Sequence, residues 1–181
     1  MLLLLVYMSI YTRTGDEGNT SIYGGKKVRK DDYVIEMNGV LDEASAYLGY
    51  CGSMIHEKKI NDQIILMQHA LYAISAQIAG NHTHIIDIAK ETKDIEKHID
   101  EIEKKVPELH NFILPGGSKE SAIVHITRTI IRKSERKMVG KTSWKVYVPY
   151  INRISDYLFV LARYMNKKKK VKETVWKNRT K

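Results

Sequence analysis

Between Tyr33 and Asn166, apolar residues recur every three or four positions in five separate stretches. That spacing lines them up along one side of an α-helix and along neither face of a strand. The clearest case is the second stretch, about Ile60 to Ala79, where Ile60, Ile64, Met67, Leu71, Ile74 and Ile78 follow a 4-3-4-3-4 rhythm, the seam of a helix bundle. The first, about Tyr33 to Gly52, puts Met37, Val40, Leu41, Ala44, Leu48 and Cys51 on one face. The third, about Thr92 to Val106, carries Ile95, Ile99, Ile102 and Val106 and is stopped by Pro107. The fourth follows Leu114-Pro115-Gly116-Gly117, with Ser118 as its N-cap, and runs to Val139 with Gly140 at its end. The fifth, about Tyr147 to Asn166, turns Ile151, Ile154, Leu158, Leu161 and Met165 inward. No segment of strand length competes with a period of two. An all-α fold is expected, an antiparallel five-helix bundle with ferritin-like up-down packing, preceded by a loop over residues 10–30.

At 181 residues the chain is one domain with room for a sizeable core. Its net charge of +9 is concentrated at one end. From Arg163 to Lys181 there are nine Lys and Arg against the single acid Glu173, so the rest of the chain is close to neutral. Residues 167–181 read as a basic tail, a solvated end. The other reading, a nucleic-acid or membrane contact, has no accompanying binding motif, and neither partner is expected. Cys51 is the only cysteine, which leaves no intrachain disulfide, fits a reducing cytoplasm and suits a small core residue. Residues 1–7 are an apolar extension without a basic start or a small-residue cleavage site, too short to span a membrane. Met8 is an alternative start, and residues 8–166 form the body.

Four constellations can carry chemistry. The loop Thr12-Arg13-Thr14-Gly15-Asp16-Glu17-Gly18-Asn19-Thr20-Ser21 combines glycines, hydroxyls and backbone N–H groups, with Lys26, Lys27 and Lys30 nearby. Such a set can cradle a triphosphate, although it is not a GxxxxGK[ST] loop, and a plain surface loop is the competing reading. On the fourth helix Arg128, Arg132 and Arg136 recur every four residues and stack along one face, beside Ser121, His125 and Glu135. Ile123, Ile126, Ile130, Ile131 and Met138 are expected on the opposite side. Arginine in a lysine-rich chain favours bidentate phosphate or carboxylate binding over a merely solvated stripe. Asp42 lies off the apolar face of the first helix among Asn38, Ser45, Ala46 and Gly49, and an ion pair with an arginine of the fourth helix is expected. Asn152, Arg153 and Asp156 sit amid apolar residues of the fifth helix; Asn152 suits either an adenine or phosphate edge, or a structural contact. The seven histidines form neither HExxH nor Glu-x-x-His, and no metal centre is expected; His82-Thr83-His84 reads as an incidental loop pair.

In this order these pieces resemble the PduO-type ATP:cob(I)alamin adenosyltransferase family, over nearly the whole chain from Ser9 to Trp176. Three blocks carry the resemblance: Ile10 to Gly18 followed by Lys30-Asp31-Asp32; Phe112 to Gly117 followed by His125 to Arg136; and Ile151 to Phe159. It implies a homotrimer of five-helix bundles with ATP bound between subunits. Thr12, Arg13, Thr14, Gly15, Asp16, Thr20, Ser21 and Lys30 would line the nucleotide site from one subunit. Arg132, Lys133, Glu135, Arg136 and Asn152 would line it from the next, and Asp42 would pair with Arg128 across the interface. Phe112 would face the corrinoid, with Phe159 completing an apolar wall. The implied substrates are ATP, with Mg²⁺ bridging its phosphates, and a reduced cobalamin or corrinoid. A cobalamin reductase and an adenosylcobalamin-dependent enzyme are implied partners. The implied reaction needs no protein nucleophile, because Co(I) attacks C5′ of ATP and triphosphate leaves. Where the family has Asp-Glu-Leu-Asn this chain has Asp42-Glu43-Ala44-Ser45. Its Arg-Arg pair reads Arg132-Lys133, and Val34 and Asn38 replace a frequent arginine and tyrosine. The alternative from another class is a non-catalytic corrinoid- or nucleotide-binding escort of the same fold.

Overall fold

The computed structural model describes residue 11 and residues 13–83 and 86–178. Five helices follow one another: α1 (Tyr33–Met54), α2 (Lys58–Ile78), α3 (Ile88–Glu103), α4 (Lys119–Val139) and α5 (Val148–Lys168). Three of them begin where a side chain satisfies a first-turn N–H. The Asp32 carboxylate accepts from Val34 N–H at 2.8 Å, Asp87 from Lys90 N–H at 3.0 Å, and Ser118 Oγ from Ser121 N–H at 3.1 Å. The Asp87 cap is why α3 starts at Ile88, a turn earlier than its apolar spacing indicates. Pro149 sits in the first turn of α5, where it removes no needed donor.

Packing contacts set the order α2–α1–α4–α5–α3. Pairs between helices give the directions. Lys133 to Glu43 and Lys137 to Glu36 run α4 antiparallel to α1, and Asn152 to Glu135 does the same for α5 and α4. Arg153–Glu96 and Lys167 Nζ to Lys105 C=O show α5 and α3 parallel, which is a correction to a uniformly antiparallel bundle. Alternation along the chain points α1, α3 and α5 one way and α2 and α4 the other, so placing α3 against α5 makes that pair parallel.

Every apolar position expected to face inward on α1, α2 and α5 is buried, as are Ile95 and Ile102 of α3. Cys51 is fully buried, with its Sγ 3.1 Å from Thr127 Oγ1, and burial pushes its thiol up to about 11. Three positions differ from expectation. Ile126 is 48% exposed, Ser45 packs into the core, and Val106 lies beyond the end of α3. The loop before α1 also contains a small antiparallel hairpin, Asn19–Ser21 (β1) with Lys27–Arg29 (β2), in register Thr20 to Val28. Three-residue strands are too short for alternation to be read from sequence.

The basic segment is exposed at every described position except Glu173, yet it is tied to the body of the protein. Ile113 and Val175 form an antiparallel bridge, with Leu114 N–H donating to Thr174 C=O and Trp176 N–H to Phe112 C=O, both at 2.8 Å. Glu173 pairs at 3.0 Å with the buried Arg163, and Lys169 with Glu120 at 2.6 Å. Among the described residues no helix is long and apolar enough to cross a membrane.

Candidate active site

The α4–α5 groove brings together one group of the expected residues. Because the helices are antiparallel, Phe159 lies level with His125 and Arg128, and Asn152 level with Glu135. The His125 and Phe159 rings meet edge to face with centroids 6.2 Å apart, and the Arg128 guanidinium lies 5.7 Å from the Phe159 centroid. Asn152 Nδ2 donates to Glu135 Oε1 at 3.1 Å, and Arg153 donates to Asn152 Oδ1 at 2.9 Å. Arg153 is itself held by Asp156 and by Glu96 of α3. Asn152 is therefore oriented from both ends, with its amide flanked by Glu135 and Arg153.

Charge in this groove is unbalanced. Arg132 and Arg136 are exposed, Arg128 is half-buried, and among the described residues none of the three pairs with an acid. Arg128 Nε and both ring nitrogens of His125 are buried without a hydrogen-bond partner among the described residues. Burial and then the charge of Arg128 push the His125 imidazole down to about 4, so it is neutral at physiological pH. Burial and the neighbouring Arg132 also lower the pKa of Arg128. Such uncompensated cations are poised to take a polyanion.

Lys133 and Asp42 are placed differently from expectation. Lys133 turns toward α1 and pairs with Glu43 at 2.9 Å, a point-charge contact that lysine serves as well as arginine. Asp42, one residue from Glu43 and so about 100° around α1, faces α2 instead; it is exposed, and Tyr72 Oη lies 3.4 Å from it. Within the chain, the ion pair expected between Asp42 and an arginine of α4 is not formed.

The N-terminal loop is a second cluster. Thr12 lies outside the described residues, as does His84. Arg13 adopts a left-handed backbone conformation, φ 59°, with its guanidinium 5.8 Å from the Tyr11 ring centroid. A Cβ at Gly15 would stand 3.2 Å from Lys30 Cε and Nζ and 3.3 Å from Asn19 C=O, so glycine lets the lysine lie against the loop. Lys30 N–H donates to Gly18 C=O at 2.9 Å, closing the hairpin so that Lys30 returns beside Gly15. Thr14, Asp16, Ser21 and Lys30 are exposed, and Thr20 is half-buried on β1. Tyr33 joins this region to the end of α4: its hydroxyl donates to Lys137 C=O and its ring stacks on Trp144 at 5.3 Å.

Phe112 is 82% exposed, and a polar clamp missed by sequence reasoning fixes the loop that carries it. Asn166 of α5, 2% exposed, accepts from Ser118 N–H at 2.9 Å and donates to Gly116 C=O at 3.0 Å. A Cβ at Gly117, φ 109°, would fall 2.2 Å from Asn166 Oδ1. The Gly-Gly pair was a visible signal of a tight approach; its partner was not, since an asparagine near a helix end ordinarily reads as exposed.

Comparison with known proteins places this arrangement. The family described as cobalamin adenosyltransferase matches residues 10–165. The corrinoid adenosyltransferase of Bacillus subtilis (strain 168) is 32% identical over 177 residues, covering 88% of this chain and 87% of the relative. Corrinoid adenosyltransferase MMAB of Bos taurus is 34% identical over 183 residues, covering 93% of this chain and 76% of the relative. Among solved structures, a variant PduO-type ATP:corrinoid adenosyltransferase from Lactobacillus reuteri, complexed with cobalamin and ATP, superposes with a TM-score of 0.87. It is 29% identical, over 94% of this chain and 100% of that one. With the match running from before the glycine loop to the last turns of α5, this chain belongs to the cobalamin adenosyltransferase family.

Proposed function

We propose that the glycine loop and the α4–α5 groove are the two halves of one active site, brought together between subunits of a homotrimer. The enzyme transfers the 5′-deoxyadenosyl group of ATP to Co(I) of a corrinoid. The cobalt–carbon bond forms as the C5′–oxygen bond breaks, and the electron pair leaves with triphosphate. The observation that carries the site assignment is the unpaired cationic stripe Arg128, Arg132, Arg136 beside an oriented Asn152. Negative charge develops on the leaving triphosphate, so fixed cations there stabilise the transition state more than the ground state.

Each residue has a task in this reading. Arg13, Lys30 and the N–H groups around Gly15 bind the phosphates from one subunit, with Thr12, Thr14, Asp16, Thr20 and Ser21 along the same loop. Arg132 and Arg136 complete the cradle from the next subunit, where Glu135 and Asn152 fix the nucleoside end and Lys133 adds charge at the rim. The exposed Asp42 of one subunit meets the half-buried Arg128 of another, which gives each the ion-pair partner it lacks among the described residues. Phe112 and Phe159 form the apolar wall that aligns the corrinoid and excludes water. Mg²⁺ brought in with ATP would supply further neutralisation of leaving-group charge beside Arg132 and Arg136. The enzyme works in the cytoplasm, receives Co(I) from a cobalamin reductase, and supplies an adenosylcobalamin-dependent enzyme.

The test is anaerobic turnover with Mg-ATP and chemically reduced cobalamin, following loss of the cob(I)alamin absorbance. Arg132→Ala is expected to lower kcat by about 100-fold or more, the scale of removing one transition-state donor. An unchanged kcat would remove Arg132 from the mechanism, and ATP or corrinoid binding without turnover by the parent chain would point to an escort.

A further inference from the structure

Residues 112–114 and 174–176 make a short antiparallel ribbon, tied by the Leu114–Thr174 and Trp176–Phe112 backbone hydrogen bonds. Side chains alternate across such a ribbon. Ile113 and Val175, with Glu173, line an open cleft of about 500 Å³ next to α5. Phe112, Leu114 and Trp176 belong to the other face and stand 82%, 47% and 52% exposed. The direction in which Phe112 looks is thus a property of the whole ribbon.

One buried side chain holds the approach to both strands. Arg163 of α5 is 5% exposed. Its Nε donates to Glu173 Oε1 at 3.0 Å, immediately before the second strand, and its terminal nitrogen donates to Pro107 C=O at 2.8 Å, ahead of the first. Only a guanidinium has donors spread widely enough to serve a carboxylate and a carbonyl at once. Glu173 is also the single acid among the nine bases from Arg163 to Lys181, so the one anion in that sequence segment sits on its one buried cation among the described residues. Asn166, three residues further along α5, fixes the chain on the far side of Phe112 through Gly116 and Ser118.

We propose that Arg163 is a positioning residue for adenosyl transfer. Through Glu173 and the Pro107 carbonyl it registers the ribbon against α5 and so sets the attitude of the Phe112 face toward the corrinoid. This rests on the reading of Phe112 as corrinoid wall. Arg163 is buried and spends its donors on Glu173 and Pro107, so in this reading its loss acts on corrinoid KM and leaves ATP KM in place.

The experiment pairs amide hydrogen exchange with steady-state kinetics on Glu173→Ala, and on Arg163→Met/Glu173→Leu, which removes the pair without leaving a buried charge unpaired. If Glu173→Ala does not fold, the double variant carries the same readouts. Breaking a charge-assisted contact is expected to speed exchange of the Leu114 and Trp176 amides about tenfold or more, with α1 and α4 amides unchanged. Corrinoid KM should rise about tenfold while ATP KM stays within about twofold, a split that general destabilisation would not give. Unchanged exchange at Leu114 and Trp176 overturns the latch, and faster exchange with unchanged corrinoid KM overturns its role in positioning. Phe112→Ala in the same assay separates the two layers: if it alters neither corrinoid KM nor turnover, the wall assignment fails while the exchange data still judge the latch.

Discussion

Gly117 shows how one missing atom governs a site several residues away. With φ at 109° and Asn166 Oδ1 only 2.2 Å from the place of a Cβ, alanine must both strain the backbone and displace a side chain that makes two part-buried hydrogen bonds. Gly117→Ala is expected to cost about 3 kcal/mol or more in chemical denaturation. An effect below about 1 kcal/mol would mean the clamp yields freely. His125 makes a second prediction. Its folded pKa of about 4 lies below the ordinary value of 6.5, so between those values the unfolded chain binds more protons. Stability is fully present above pH 6.5 and falls by about 3 kcal/mol as pH drops to 4. In His125→Phe, urea titrations over that window should lack this component; an unchanged pH slope would show that His125 is not the group being protonated. Neither effect was fully legible beforehand. The glycine pair announced a turn, but His125 read as a neighbour of the arginine stripe, and nothing in a 3.6 period distinguishes a polar residue on the rim of a groove from one sealed beneath it.

Among the helices, α3 is held least. Ile95 and Ile102 are its only buried side chains, its main packing is on α5, and Arg153–Glu96 pins its surface. Ile95→Ala is expected to cost about 3 kcal/mol and to accelerate exchange of α3 amides ahead of those in α4 and α5. Uniform acceleration across all five helices would instead make α3 part of a single cooperative unit. The helices themselves were readable to within a few residues, because a buried seam forces apolar residues into register on every turn. What escaped were elements with too few residues to be periodic. The β1–β2 hairpin needs only three residues a side, and its register comes from backbone pairing. The final ribbon was hidden by its own composition, since lysines at 167–170 outweighed Val171, Val175 and Trp176 in any reading by charge.

For the molecule as a whole, the proposed division of the site between loop and groove would make activity a property of assembly. Lys30→Ala is expected to disable one half and Arg132→Ala the other. If the halves meet only within one chain, co-expressing the two variants restores nothing. If they meet between subunits of a cyclic trimer, random mixing leaves about a quarter of the sites with both halves intact. Recovery to about that fraction of parental turnover is expected, measured on purified mixed oligomers. The order α2–α1–α4–α5–α3 could not be read from the sequence, because apolar stripes state that a helix has a partner without saying which. The ribbon adds a dimension of time. Chains emerge from the ribosome N-terminus first, and helices able to pack early do so. Phe112 and Leu114 are made well before Trp176 and Thr174, whose backbone groups they meet. On the proposed reading of Phe112 as corrinoid wall, that wall waits on residues 174–176, and a nascent chain with α1–α5 already packed would not yet present it to the corrinoid.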